Sequence, residues 1–137
     1  MSTSWIVPCN IKYFDIIGLF KRQKLVCYKQ STNVEAGDVV FIYIGQPYSE
    51  IKYRCRVLET NMPVCYIDDD AFVINGKVYL DYGRFMTLLL EEEYMNGQMT
   101  LHALHELGIK GSIQSPMKIS PSLQERILND LIFKTQI

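Results

Sequence analysis

Residues 37–57 read GDVVFIYIGQPYSEIKYRCRV. Gly37-Asp38 is a turn pair, and Val39–Ile44 is apolar at every position. The next five residues, Gly45-Gln46-Pro47-Tyr48-Ser49, are loop formers. The chain then alternates, with Ile51, Tyr53, Cys55 and Val57 on one face and Lys52, Arg54 and Arg56 on the other. Period-two alternation marks a half-buried antiparallel strand, and the short loop joins it to 39–44 as a hairpin. One face is expected to join a core and the other to be wet and cationic. The loop sets the ring of Tyr48 beside the hydroxyl of Ser49 and the amide of Gln46, which reads either as an ordinary polar turn or as one wall of a small binding site.

The chain has 137 residues, the size of one domain with a core that needs no staples. A hydrophobic share of 48% with 21% charged residues places it among globular proteins rather than disordered ones. No apolar run approaches the roughly 18 residues of a membrane span. Met1-Ser2-Thr3-Ser4 runs straight into a strand-like segment without a signal-peptide pattern, so a cytoplasmic protein is expected. Cys9, Cys27, Cys55 and Cys65 show no C-x-x-C spacing and are expected to be free thiols. The net charge is −1, which excludes an overall basic footprint. Charge is nonetheless segregated: residues 12–56 hold eight Lys/Arg and four Asp/Glu, residues 57–106 two and nine. Such a split can orient a molecule on a polyanion, or can be plain solvated surface.

Outward from the hairpin, Ser4–Pro8 reads as a first strand and 12–22 as an amphipathic helix with Tyr13, Ile16, Ile17 and Phe20 on one face. Residues 24–30 read as extended, and Asn61-Met62-Pro63 ends the second hairpin strand. Asn75-Gly76, between Phe72-Val73-Ile74 and Lys77-Val78-Tyr79-Leu80, predicts another hairpin. Asp68-Asp69-Asp70 lacks the spaced ligands of a calcium loop. Residues 85–90 read as a buried strand. Thr100 caps a short helix that Gly108 ends, and Ser120-Pro121 opens a last helix striped by Leu123, Ile127, Leu128 and Leu131. The order predicts an α+β domain on a small, bent, mostly antiparallel sheet or barrel with about three helices.

No catalytic signature or phosphate loop appears, so no enzyme activity and no cofactor are expected. His102 and His105 stand i, i+3 with no third ligand spaced to them, and no metal is expected. The suggestive residues lie where apolar elements end: Asn10, Tyr28-Lys29-Gln30, Tyr48-Ser49, Arg84-Phe85 and Gln114-Ser115. Rings stack on nucleobases, and Asn, Gln and Ser pair with their edges. Each also has a structural reading: Trp5 and Tyr53 suit a core, and Arg84 suits a pairing with Asp81.

Six stretches resemble EVE domains of the PUA-like superfamily: Trp5-Ile6-Val7-Pro8-Cys9-Asn10, Tyr28-Lys29-Gln30-Ser31-Thr32-Asn33, Gly37-Asp38-Val39-Val40-Phe41-Ile42-Tyr43, Pro47-Tyr48-Ser49, Arg84-Phe85-Met86 and Ile113-Gln114-Ser115-Pro116. They run in order over residues 5–133. The nearest resemblance is to the N-terminal EVE domain of HNH-type modification-dependent restriction endonucleases. It implies one EVE domain over 1–137 and a pocket for a flipped, modified base, foremost methyl- or hydroxymethylcytosine in DNA, with RNA as an alternative. It also implies an HNH nuclease as a fused or separate partner. Trp5, Asn10, Tyr28, Tyr48, Ser49, Arg84 and Gln114 are then the expected pocket residues, and Lys29, Lys52 and Arg54 the expected phosphate contacts, with Arg56 beside them. Three positions depart from the family's usual residues: Tyr28 for Trp, Thr87 for a basic residue and Ser115 for Gly. A small-molecule or protein-interaction domain of the same fold is the rival expectation.

Overall fold

The structure, a computed structural model, describes residues 2–63 and 84–135. The Asn75-Gly76 hairpin and the Asp68–Asp70 triplet lie outside the described residues. In order, the elements are β1 (Ser4–Cys9), α1 (Ile16–Arg22), β2 (Leu25–Lys29), β3 (Val39–Ile44), β4 (Glu50–Met62), β5 (Phe85–Glu93), α2 (Leu101–Glu106), β6 (Met117–Ile119) and α3 (Pro121–Thr135). The strands form one six-stranded sheet in the order β2-β5-β4-β3-β1-β6. It is antiparallel except where β1 pairs with β3.

The expected hairpin is present, with β3 antiparallel to β4. β3 is buried at all six positions because it is covered on both faces. Val40, Ile42 and Ile44 join one core with Tyr28, Tyr53 and Phe14, while Val39, Phe41 and Tyr43 join a second with Leu104, Ile127 and Leu131. A continuous apolar run is what a strand between two cores requires.

β4 departs from the expected clean alternation. Ile42 pairs with Tyr53 but Tyr43 with Ile51, so Lys52 is the extra residue of a β-bulge. The bulge sends Ile51 to the second core while Tyr53, Cys55 and Val57 stay in the first. Three more register breaks separate β4 from β5, at Arg54/Cys55, Val57/Glu59 and Glu59/Met62. Bulges bend and over-twist a strand, and the sheet curls until β2 reaches β1. There the Tyr28 hydroxyl donates to the Pro8 carbonyl at 3.0 Å.

The helices sit close to their expected places. α1 starts later than expected, because Asp15 caps it by accepting from the Gly18 amide, and the preceding turn folds onto the Asn10 carbonyl. Tyr13 therefore lies outside the helix and is exposed. Thr100 caps α2, and Gly108 follows with φ +106°, a left-handed turn open to glycine. The Ser120 hydroxyl accepts from the Leu123 amide at the head of α3. Cys9 and Cys55 are free and buried, but Cys27 is disulfide-bonded, which corrects the expectation of four free thiols. Among the described residues, no helix is long and apolar enough to cross a membrane.

Candidate functional site

β1 and β3 are the parallel pair, and they end together with Cys9 opposite Ile44. In open α/β sheets, ligands bind beyond the carboxyl ends of parallel strands, and in this mostly antiparallel sheet the same end of the parallel pair is the open one. A cavity of about 510 Å³ opens there. The end of β1 lines it with Pro8 and Cys9 and the turn after it with Asn10 and Lys12; the end of β3 adds Tyr43, and the β3–β4 turn Gly45, Gln46 and Ser49. Lys29 enters from β2, Leu101 from α2, and Ser112, Ile113 and Gln114 from the loop before β6. The volume is that of a small-molecule or base site.

Asn10 and Ser49 are placed there by local hydrogen bonds. Asn10 Oδ1 accepts from the Lys12 amide at 3.0 Å, fixing an Asx turn that leaves the amide nitrogen as the donor Asn10 can offer. Ser49 has φ +50° and its carbonyl accepts from Leu101 N, so β4 starts from a left-handed residue pinned to α2. Non-glycine residues in that region cluster at functional sites. Gly45 lies with its would-be Cβ 3.8 Å from the Cys9 carbonyl, in ordinary contact. The Cys9 thiol is buried and contacts the Phe14 carbonyl at 3.8 Å. Burial pushes its pKa up to about 12, so it is no nucleophile at neutral pH.

The structure brings together four of the expected residues: Asn10, Ser49, Gln114 and Lys29. It does not bring in the others. Tyr28 is a core residue at 2% exposure, tilted against Phe14 with ring centroids 5.7 Å apart. It backs the cavity from behind Pro8 and is not a stacking wall. Trp5 lies four residues up β1 from Cys9, about 13 Å along the strand, with its Nε1 donating to Asp38 at 3.1 Å. Arg84 is held by the Gln30 and Thr32 carbonyls and by Asn33 and Asn61. Tyr48 is exposed and lies outside the lining.

The cationic face of β4 is also corrected. Lys52 is buried, with its amine donating to the Tyr94 carbonyl at 3.2 Å and Asn96 at 2.9 Å. Arg54 pairs with Glu92 at 3.2 Å and Arg56 with Glu91 at 3.3 Å. Thr87, where the resembled family has a basic residue, is buried with its hydroxyl on Met62 Sδ. Sequence reasoning missed Lys12, Ser112, Ile113 and Leu101 as lining residues. Lys12 was assigned to a helix, and the other three reach the cavity only through the tertiary fold.

His102 pairs with Glu106 at 2.9 Å, and His105 Nε2 lies 2.6 Å from the Gly111 carbonyl. Among the described residues, no group of three or more His, Cys, Asp or Glu could hold a metal.

No family model matches the chain, and no curated protein matches it. Solved structures do. A hypothetical protein from Leishmania major aligns over 98% of both chains with a TM-score of 0.67 and 16% identity. ASCH from Zymomonas mobilis aligns over 93% of this chain and 94% of its own, with a TM-score of 0.65 and 8% identity. The human THYN1 protein, solved in complex with 5-methylcytosine-containing DNA, aligns over 93% and 96%, with a TM-score of 0.65 and 10% identity. The likeness at these identities is one of architecture: a curled, mixed six-stranded half-barrel with three helices, the PUA-like fold.

Proposed function

We propose that this chain is a non-catalytic nucleic-acid-binding module that accepts one flipped base in the cavity, and that residues 1–137 act as one domain. The carrying observation is the cavity's lining: three amide side chains and two lysines, with no carboxylate among them. Gln46 and Gln114 each carry a donor and an acceptor, and Asn10 offers its amide donor, which is what reading a base edge needs. Pro8, Tyr43, Leu101 and Ile113 offer apolar faces for the base to lie on. Lys12 and Lys29 suit the phosphates, which orient a strand without reading it. The THYN1 complex supports methylcytosine DNA as the first ligand to test. The narrower kinship, an EVE domain serving an HNH nuclease, rests on the six sequence stretches alone.

The test is anisotropy titration with oligonucleotides carrying one 5-methylcytosine, 5-hydroxymethylcytosine or cytosine. Gln114→Ala and Asn10→Ala are expected to weaken binding of the preferred oligonucleotide about 10-fold or more, the size of a lost edge contact, Gln114→Ala at unchanged melting temperature and Asn10→Ala with the small loss, about 1 kcal/mol, of its Asx-turn hydrogen bond. Equal affinity of wild type and both variants for every oligonucleotide would place the base elsewhere. A second reading has its own support. The net charge of −1 and the paired Arg54 and Arg56 suit a small anionic ligand that needs only the two lysines. Binding that ignores oligonucleotides but takes a free nucleotide favours it.

A further inference from the structure

We infer that the nucleic acid taken by this cavity is single-stranded, with the rings of Tyr13 and Tyr48 stacking on the bases that flank the one inside. The inference rests on the nucleic-acid reading above and adds the form of the ligand.

Charge comes first. A duplex presents one phosphate charge per about 1.7 Å of axis, and its binders spread many cations along it. Here the strand face that promised such cations is neutralised. Arg54 and Arg56 are matched to Glu91 and Glu92, and Lys52 is buried. The cations lining the cavity are Lys12 and Lys29. Two lysines suit about two phosphates, the footprint of a short strand.

The rings come second. Among the described residues, the exposed aromatic rings are Tyr13 at 45% and Tyr48 at 37%. Both stand on the loops that build the cavity. Tyr13 follows Lys12, its amide donating to the Asn10 carbonyl at 3.0 Å, and Tyr48 precedes Ser49, its amide donating to the Gly45 carbonyl at 3.1 Å. These loops leave the adjacent ends of β1 and β3, where Cys9 and Ile44 are partners. Each of the two neighbouring loops that supply lining residues to the cavity thus carries one exposed ring, Tyr13 next in sequence to the lining residue Lys12 and Tyr48 next to the lining residue Ser49. That combination is a stacking platform for unpaired bases, which a duplex keeps stacked on one another. A base in a single strand also costs less to swing out, so a small cationic footprint suffices.

The experiment compares a nine-nucleotide strand with one central 5-methylcytosine, in deoxy and ribo forms, with its duplex and with 5-methylcytidine monophosphate. The single strand is expected to bind at least tenfold tighter than the duplex. Its log affinity should fall against log salt with a slope near −1.4, two contacts at about 0.7 each. Tyr13→Ala and Tyr48→Ala should each weaken the strand about 5- to 100-fold, Phe at either position should restore it, and the monophosphate should bind all variants alike. The deoxy and ribo arms separate the two sources of such a strand. Duplex binding as tight as the single strand, or strand binding indifferent to both alanines, overturns the inference and leaves the nucleic-acid reading standing. Failure of every oligonucleotide to bind overturns both.

Discussion

Ser49 stands in the left-handed region at φ +50°, where a Cβ costs roughly 1–2 kcal/mol. A glycine there would be freer, yet the chain keeps a hydroxyl on the cavity wall. Ser49→Gly is therefore expected to leave stability unchanged or raise it by up to about 1 kcal/mol, and Ser49→Ala not to raise it. Both should weaken ligand binding about 2- to 12-fold, the worth of one hydrogen bond. Chemical denaturation beside affinity measurement checks this, and full affinity in the glycine variant would mean the hydroxyl faces no ligand. Asn10, Ser49 and Gln114 were legible as residues that leave the core, and they do line the cavity, because each is polar where an apolar element stops. A residue leaving the sheet there has no core to join, so its chemistry is free for a ligand. Tyr28 misled for the opposite reason. A strand ring looks the same in sequence whichever way it points, and only the curl that sets its hydroxyl on Pro8 O shows that it faces inward.

Among the elements, β4 explains most of the difference between the expected and the observed surface. The hairpin with β3 was readable from period-two alternation and a five-residue loop. The bulge at Lys52 was not, because an inserted residue leaves the pattern of residue types intact and changes only the pairing. Its consequence is a lysine turned under the loop that follows β5, where its amine holds Tyr94 O and Asn96. Lys52→Ala should then destabilise the fold by about 2–3 kcal/mol, the cost of removing a charged donor from a buried carbonyl. Arg54→Ala, which loses half-exposed pairs with Glu91 and Glu92, should cost no more than about 1 kcal/mol. Neither should change the salt slope of oligonucleotide binding. A slope flattened by about one unit in either variant would return that residue to the phosphates.

The whole molecule carries two cores back to back across β3, and neutral titratable groups are sealed within them. Burial raises the Cys9 thiol to about 12 and the Tyr94 hydroxyl to about 12, and pushes Cys55 and Tyr53 higher still. All four are less than a tenth exposed. The direction of the linkage follows from proton counts. In the unfolded chain the thiols ionise near 9 and the phenols near 10. Below pH 9 both states hold these protons and stability does not respond to them. Between that point and the folded values, the folded state keeps protons that the unfolded state has released, so stability falls as pH rises. Each group in that window contributes about 1.4 kcal/mol per pH unit. The urea midpoint is therefore expected to hold from pH 7 to about 8.5 and then to drop steeply toward pH 10.5. Cys9→Ala, whatever its packing cost at neutral pH, should make that drop shallower by one proton's share. Of the four, Cys9 is the one that lies on the cavity wall. An alkaline slope identical in wild type and Cys9→Ala would mean that water already reaches the thiol from the cavity side.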